Sequence, residues 1–258
     1  MSSLSLARAS GTTSLPGLAT VRMASRELFA CARHAWLMRH DVLAPVLPRD
    51  AARGENVVVC LHGVMATAGV LRPLRTRLAR SAHTATLSFP LGPGVSALAE
   101  RLGDALAHLH DDVRLHLVGH SLGGIVARYY AEHHGDARVV QTISLASPFA
   151  GVPNARLLGL PFARDIDPGS ALLRALGQSS LAAGSLPHLS IVAANDALVP
   201  GAEAQALPGW EVRVVDECGH NTLLYHEGVM RWVEARVLEH AHAQAAPAPA
   251  PQALLRSA

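Results

Sequence analysis

The sequence has little charge, few aromatic residues and few cysteines. Only 16% of its 258 residues are charged and the net charge is +2, which gives no electrostatic reason to expect nucleic-acid binding. Aromatic residues, at 4%, offer few rings on which bases could stack. The cysteines (Cys31, Cys60 and Cys218) are odd in number and widely spaced, so we expect reduced thiols rather than a disulfide framework.

Long apolar runs and metal-ligand patterns are also missing. No apolar run approaches the roughly 18 residues of a membrane span, and residues 1–14 lack the apolar stretch of a secretory signal. A cytoplasmic location is therefore expected. The fifteen histidines include no pair at metal-ligand spacing on a convincing helix, and His133 and His134 are adjacent, so they diverge. The sequence predicts no metal and no cofactor.

Half of the residues are apolar, which is enough for the core of one large domain. Residues 1–16 are rich in Ser, Thr and Ala, and residues 244–258 contain an Ala-Pro repeat, so both ends are predicted to be disordered. Between them we expect an N-terminal helical segment at 17–50 and an α/β domain at 51–243.

Short β-branched runs alternate with amphipathic stretches, a pattern typical of βα units around a parallel sheet. The predicted strands are 56–61, 84–89, 113–118, 139–145, 189–194 and 212–216. The predicted helices are 20–43, 70–80, 95–110, 122–134 and 222–240. Residues 149–187 form an insertion without a strand, and insertions of that length are commonly functional, so we predict a short lid.

A candidate nucleophile follows the third predicted strand. Residues 119–123 read Gly-His-Ser-Leu-Gly, which is the G-x-S-x-G pattern at a strand-to-helix turn. The glycines leave room for a turn that is too tight for a β-carbon on either side of Ser121. The sequence therefore predicts that Ser121 at this turn is the nucleophile.

A serine nucleophile needs a base and an acid that orients the base. Asp196 ends the fifth predicted strand and His220 follows the sixth, which is the chain order Ser, acid, His of strand-to-helix hydrolases. The simpler interpretations are a solvated turn residue for Asp196 and a helix-capping neighbour for His220. Asp216, still within its predicted strand, and the insertion residues Asp165 and Asp167 are weaker candidates for the acid.

An oxyanion also needs preorganised N–H donors. The backbone N–H of Leu122, directly after the nucleophile, is one candidate. The turn His62-Gly63-Val64 after the first predicted strand supplies the second, from the backbone N–H of Val64.

These motifs resemble those of the α/β-hydrolase fold superfamily, bacterial lipase and esterase group. Residues 117–124 resemble the lipase serine signature, and residues 62–64 are similar to the oxyanion loop of those lipases. Residues 147–151 resemble their Thr-Pro-His-x-Gly segment, with Ser for Thr and Phe for His. Residues 167–173 resemble a Pro-Gly-Ser stretch of the lid region. The resemblance spans residues 56–240.

The resemblance implies an α/β fold with a mostly parallel sheet of about six strands flanked by helices. The sequence shows neither the N-terminal β-hairpin common in this fold nor the calcium-binding aspartates of some lipases. The implied activity is cleavage of a small-molecule ester or lipid through an acyl-enzyme on Ser121, with Phe162 and Leu172 of the insertion as candidate acyl-binding residues. The same residues would serve a thioesterase, amidase or acyltransferase. A non-catalytic binding protein would be expected to lack one triad residue.

The segment 20–43 ahead of the first strand allows two interpretations. Its apolar residues recur every seven positions: Val21, Leu28, Ala35 and Val42. Its arginines adjoin that face: Arg22, Arg26 and Arg33. A basic amphipathic helix can make peripheral contact with an anionic membrane. The alternative is a helix that packs on the sheet or the lid with solvated arginines.

Overall fold

The computed structural model describes residues 16–42, 45–48, 51 and 53–245. The disorder predicted for 1–16 and 244–258 falls outside these residues, except at positions 16, 244 and 245, which belong to helices.

Helices and strands alternate through the described chain. The strands are β1 (Asn56–Leu61), β2 (His83–Leu87), β3 (Arg114–His120), β4 (Val139–Leu145), β5 (His188–Ala193) and β6 (Glu211–Val215). The helices are α1 (Pro16–Leu37), α2 (Arg72–Leu78), α3 (Val95–Leu106), α4 (Leu122–His133), α5 (Pro161–Asp165), α6 (Ala171–Ser179), α7 (Ala202–Gln205), α8 (His220–Tyr225) and α9 (Glu227–Ala245). Short 3-10 helices cover Ala68–Leu71 and Ala155–Leu158.

The six strands form one parallel sheet in the order β2-β1-β3-β4-β5-β6. The prediction of a parallel sheet of about six strands is confirmed. The predicted bounds of β1 and β4 match the structure, and the other four strands differ by one or two residues at their ends. Val57, Val58 and Val59 are all buried, because helices cover both faces of the sheet and make alternation unnecessary.

Two apolar layers sandwich the sheet. On one face, α3 and α4 pack with the insertion, through residues such as Leu102, Ile125 and Leu176. On the other face, α2, α8 and α9 pack together with the end of α1, through residues such as Leu74 and Val233. Since all strands run in parallel, every loop that follows a strand emerges at the same edge of the sheet.

The prediction of one final helix over 222–240 is wrong. The structure has two helices, α8 and α9, separated by His226, whose backbone is extended at φ −75° and ψ 123°. The side chain of His226 accepts a hydrogen bond from the N–H of Val229 at 3.4 Å. It thereby serves the first turn of α9 in the manner of an N-cap residue.

The predicted helix 20–43 ends at Leu37, six residues early. The Thr67 hydroxyl donates to the carbonyl oxygens of Met38 and His40 at 2.8 and 3.0 Å, so the helix end is satisfied by a loop instead of by another helical turn. Asp41 then turns the chain with a φ of 52°.

The packed face of α1 is not the one that recurs every seven residues. Ala30 and Leu37 are buried, whereas Val21 and Leu28 are 67% and 73% exposed. Helix α1 packs mainly on α8. The helical interpretation is thus right for most of the segment, but its regular apolar side faces solvent.

The insertion is partly core and partly surface. Phe162, Leu173 and Leu176 are buried in the layer beside α3 and α4, while Leu157 and Leu158 are exposed. Within the described ranges, no helix combines the length and hydropathy that crossing a bilayer would require.

Candidate active site

Ser121 lies between β3 and α4 with a φ of 53° and a ψ of −124°. A side chain in this region is strained, and such strain concentrates at functional turns. The turn needs glycine on both sides of the serine: a β-carbon on Gly119 would come within 2.2 Å of Gly123, and one on Gly123 within 2.4 Å of the Leu61 carbonyl oxygen. The tight turn that the sequence predicted is confirmed, and it lifts Ser121 out of the sheet edge.

The loop after β1 lies directly beside the serine, because β1 is the neighbour of β3 in the sheet. A β-carbon on Gly63 would approach the Ser121 β-carbon to 2.8 Å. Val64 and Leu122 line the same small cavity. The N–H of Leu122 belongs to the first residue of α4 and so has no partner within the helix. Among the described residues, no acceptor is bonded to the N–H of Val64.

His62 holds this loop in place. Its Nε2 accepts a hydrogen bond from the N–H of Phe89 at 2.8 Å, and its Nδ1 donates to the Gly63 carbonyl oxygen at 2.7 Å. Burial lowers the pKa of His62, which favours the neutral ring that can accept and donate in this way. His62 therefore ties the loop after β1 to the loop after β2.

Asp196 and His220 meet at the same edge of the sheet. His220 Nδ1 donates to Asp196 Oδ2 at 2.6 Å, and both side chains are buried. Asp196 Oδ1 accepts from the N–H groups of Leu198 and Val199, both at 2.8 Å, so the carboxylate is held from both oxygens. Because Nδ1 carries the proton in this pair, Nε2 is left as the basic nitrogen.

The other candidate acids lie elsewhere. Asp216 is exposed and falls one residue beyond β6, not within the strand as expected. Asp165 accepts from the N–H of Val95 at 2.7 Å and caps α3. Asp167 pairs with Arg156 at 3.8 Å. Of the four aspartates considered, only Asp196 contacts His220.

No hydrogen bond joins Ser121 Oγ to any residue of the described chain. Nucleophile–base hydrogen bonds are often long in unliganded enzymes and tighten when substrate binds. The structure thus pairs Asp196 with His220 and places Val64 and Leu122 on one cavity. Ser121 lies beside Gly63 of the same loop and makes no hydrogen bond to His220.

His120, the residue before the serine, is a site residue that the sequence pattern alone did not assign. Its Nε2 donates to the His220 carbonyl oxygen at 3.1 Å, and the two rings lie 4.8 Å apart. Burial, and then the nearby His220, lowers the pKa of His120 well below its usual value. A neutral His120 with its proton on Nε2 therefore holds the backbone of His220.

A small cavity of about 50 Å³ opens beside the oxyanion donors. Its walls come from the loop after β1, the segment after β2, Leu98, Leu122 and Phe162. By this measure a water needs about 10–15 Å³, so the cavity has room for a few water-sized groups. Phe162, one of the two candidate acyl-binding residues, lines the cavity. Leu172 does not line it, but lies partly buried against the core.

All three cysteines are free, and burial raises the pKa of Cys60 and of Cys218 to about 12, so neither is a thiolate at neutral pH. In the part of the chain that the structure describes, no three His, Cys, Asp or Glu side chains cluster in a way that could hold a metal ion.

Comparisons with known proteins relate this fold to that of ester and thioester hydrolases. The sequence model of the palmitoyl protein thioesterase family matches residues 58–184, just under half of the chain. No curated protein matches the chain in sequence.

Several solved structures share the fold. A Bacillus licheniformis lipase superposes with a TM-score of 0.61 at 11% identity, over 75% of this chain and 97% of the lipase. An Aspergillus fumigatus lipase B gives a TM-score of 0.60 at 15% identity, over 76% of this chain and 56% of that chain. A Thermogutta terrifontis esterase gives a TM-score of 0.54 at 16% identity, over 76% of this chain and 94% of the esterase. From its sheet order and these similarities, the chain has the α/β-hydrolase fold, and the solved structures that it resembles are lipases and esterases.

Proposed function

We propose that the protein hydrolyses carboxylic esters through an acyl-enzyme on Ser121. The observation that carries this proposal is the hydrogen bond between His220 Nδ1 and Asp196 Oδ2 at the sheet edge where the strained Ser121 turn emerges. A buried carboxylate–imidazole pair at such a place fits a base that is oriented by an acid.

In the proposed acylation, Ser121 Oγ attacks the ester carbonyl carbon while His220 Nε2 takes the hydroxyl proton. The developing oxyanion accepts hydrogen bonds from the N–H groups of Val64 and Leu122. The carbon–oxygen bond to the alcohol then breaks, and the imidazolium returns its proton to the leaving alkoxide. Asp196 remains ionised and stabilises the imidazolium.

In the proposed deacylation, water takes the place of the alcohol. His220 removes a proton from that water, its oxygen attacks the acyl carbon, and the same two N–H groups stabilise the second oxyanion. The carbon–oxygen bond to Ser121 breaks, the serine regains its proton from His220, and a carboxylic acid leaves.

The small cavity favours short acyl groups. Phe162 closes one wall and is only 3% exposed, so a longer acyl chain requires this wall or the segment after β2 to move. We therefore expect acetate and butyrate esters to be better substrates than octanoate esters.

Thioesters are the second candidate substrate class, because the palmitoyl protein thioesterase family model matches residues 58–184. The steps would be the same, with a thiolate as leaving group. A palmitoyl chain far exceeds the cavity beside Val64 and Leu122. Comparing matched oxygen and thiol esters of one short acyl group separates the two substrate classes.

Peripheral membrane contact through residues 20–43 remains a proposal. Phe29 and Trp36 join Val21 and Leu28 as exposed apolar side chains of α1, and exposed arginines lie among them. Apolar and aromatic side chains with neighbouring cations suit an anionic bilayer surface. Sedimentation with anionic and with neutral phospholipid vesicles tests it: the double variant Phe29→Ser and Trp36→Ser should lose a preference for anionic vesicles that Leu181→Ser keeps. Equal binding of all three proteins to both vesicle types would contradict it.

Replacing the nucleophile tests the ester-hydrolase proposal. Ser121→Ala should lower kcat on p-nitrophenyl butyrate by about a million-fold, as loss of a serine nucleophile does in subtilisin. A serine-reactive phosphonate should add one label to the wild type, detected by mass spectrometry, and none to Ser121→Ala. Ser185→Ala is the control, because Ser185 precedes β5 and lies toward the opposite edge of the sheet. Turnover by Ser121→Ala near the wild-type rate would refute the mechanism.

A further inference from the structure

Glu27 of α1 lies at the beginning of α8, the helix that starts with His220. Its Oε1 accepts a hydrogen bond from the N–H of Asn221 at 2.9 Å. Its Oε2 accepts from the N–H and the hydroxyl of Thr222 at 3.0 and 2.6 Å. These two N–H groups belong to the second and third residues of α8, the donors that an N-cap side chain normally satisfies.

The residue that should cap α8 has no side chain to do so. Gly219 is the N-cap residue and makes no side-chain hydrogen bond to the helix. A β-carbon on Gly219 would come within 2.4 Å of Glu27 Oε2, so the glycine makes room for the carboxylate. The cap of α8 thus comes from a residue 194 positions earlier in the chain.

The backbone of His220 has little other support. Helix α8 has six residues, too few to hold its own first turn firmly. His120 bonds the His220 carbonyl oxygen, and Asp196 bonds its imidazole. The Glu27 carboxylate adds charge-assisted hydrogen bonds to the next two residues, at the positive end of a helix.

We infer that Glu27 is a positioning residue for His220, so that the N-terminal helix completes the active site. By holding the first turn of α8, Glu27 keeps the imidazole in line with Asp196 on one side and Ser121 on the other. This inference rests on the proposed role of His220 as the general base. A misplacement of about 1 Å in such a group can cost about 100-fold in rate.

The docking of α1 does not depend on Glu27 alone. Ala30 and Leu37 are buried, and Tyr225 Oη lies 3.2 Å from His34 Nδ1. Arg33 stacks over the Tyr225 ring at 4.7 Å. Removing the Glu27 carboxylate should therefore loosen the start of α8 while α1 stays in place.

A matched set of variants tests the inference. Glu217 is the control, because it lies three residues before His220, is exposed and pairs with Arg26 at 3.6 Å without bonding to α8. Glu27→Ala should lower kcat on p-nitrophenyl butyrate by about 10- to 100-fold with KM within about twofold of wild type. Glu27→Gln keeps one oxygen acceptor and should recover part of that loss. Glu217→Ala and Glu217→Gln should match the wild type.

Proton NMR gives a readout that does not depend on turnover. The proton that His220 Nδ1 donates to Asp196 should give a downfield signal, assigned by its loss in Asp196→Asn. The signal should broaden through solvent exchange in Glu27→Ala and stay sharp in Glu217→Ala.

Several outcomes would overturn the inference: a kcat for Glu27→Ala within twofold of wild type, an equal loss in Glu217→Ala, or an unchanged proton signal in Glu27→Ala. If Glu27→Ala does not fold, wild-type kcat and a sharp signal in Glu27→Gln would overturn it. A wild-type protein that cleaves no ester or thioester would refute the proposed function instead, and the proton signal would still decide the role of Glu27.

Discussion

At the scale of single residues, the proposed site depends on how Asp196 is held. Its two oxygens accept three hydrogen bonds, from the N–H groups of Leu198 and Val199 and from His220 Nδ1. This arrangement fixes which nitrogen of His220 carries a proton. An amide in place of the carboxylate can present its NH₂ group to the ring and stabilise the wrong tautomer.

Asp196→Asn should therefore lower kcat by about 10⁴-fold while leaving the fold intact, as the equivalent change does in chymotrypsin-type enzymes. The loss should be smaller than that of Ser121→Ala. Asp216→Asn is the matched control, since Asp216 is exposed and lies outside β6, and its kcat should stay within about twofold of wild type. If Asp216→Asn were the more damaging change, Asp196 would not be the acid.

At the scale of elements, the insertion does two things. Helices α5 and α6 extend the core through Phe162, Leu173 and Leu176. The same Phe162 side chain also forms a wall of the cavity beside Leu122. Leu172 of α6 packs on the core without lining the cavity. Of the two candidate acyl-binding residues, only Phe162 of α5 therefore reaches the cavity.

Phe162→Val should shift the acyl preference toward longer chains. Each buried methylene contributes about 0.8 kcal/mol, so room for two more of them should raise the octanoate-to-butyrate ratio of kcat/KM by about tenfold. Leu172→Ala removes nearly as many side-chain carbons as Phe162→Val, but Leu172 does not line the cavity, so this variant should leave the ratio unchanged. The measurement is a series of p-nitrophenyl esters from acetate to octanoate. An equal change of the ratio in both variants would mean that Phe162 acts only through packing.

At the scale of the whole molecule, several buried histidines and the partly buried His34 are held in neutral form. Burial, followed by nearby His240 and Arg114, lowers the pKa of His116 to about 3, and burial lowers that of His34 to about 4. Burial also lowers the pKa of His120 and His188 well below their usual value. His116 donates from Nε2 to Asn56 at 2.9 Å and accepts at Nδ1 from Gln141 at 2.8 Å, an arrangement that a protonated ring cannot make.

The protein should therefore lose stability in mild acid. Because the folded pKa values lie below that of an unfolded histidine, about 6.5, the unfolded chain takes up protons first as the pH falls. The stabilisation is complete above about pH 6.5 and is lost progressively down to the folded values near 3 to 4. Between pH 7 and pH 5, the free energy of unfolding should fall by about 2 kcal/mol for each fully buried histidine, and by less for His34, which is only partly buried.

Urea denaturation at pH 7 and pH 5 measures this loss. In His116→Gln, the loss of unfolding free energy between pH 7 and pH 5 should be about 2 kcal/mol smaller than in the wild type, because glutamine does not take up a proton. His108→Gln is the control, since His108 is exposed. Equal free energies of unfolding at pH 7 and pH 5 for the wild type would contradict the prediction.

The sequence by itself determined the features that depend on short stretches of chain. The apolar runs placed β1 and β4 at their observed bounds, and the Gly-His-Ser-Leu-Gly motif predicted the tight turn at Ser121. The parallel sheet followed from the alternation of strands and helices, and it brought Asp196 and His220 together because the loops after parallel strands share one edge.

Only the tertiary structure decided which distant groups meet. The carboxylate of Glu27 reaches Thr222 across 195 positions, and His120 reaches the backbone of His220 across 100, and neither contact leaves a local pattern. The end of α1 at Leu37 depends on Thr67, and the size of the cavity depends on where Phe162 packs. Periodicity reports the spacing of residues along one element, whereas these contacts depend on how separate elements pack against one another.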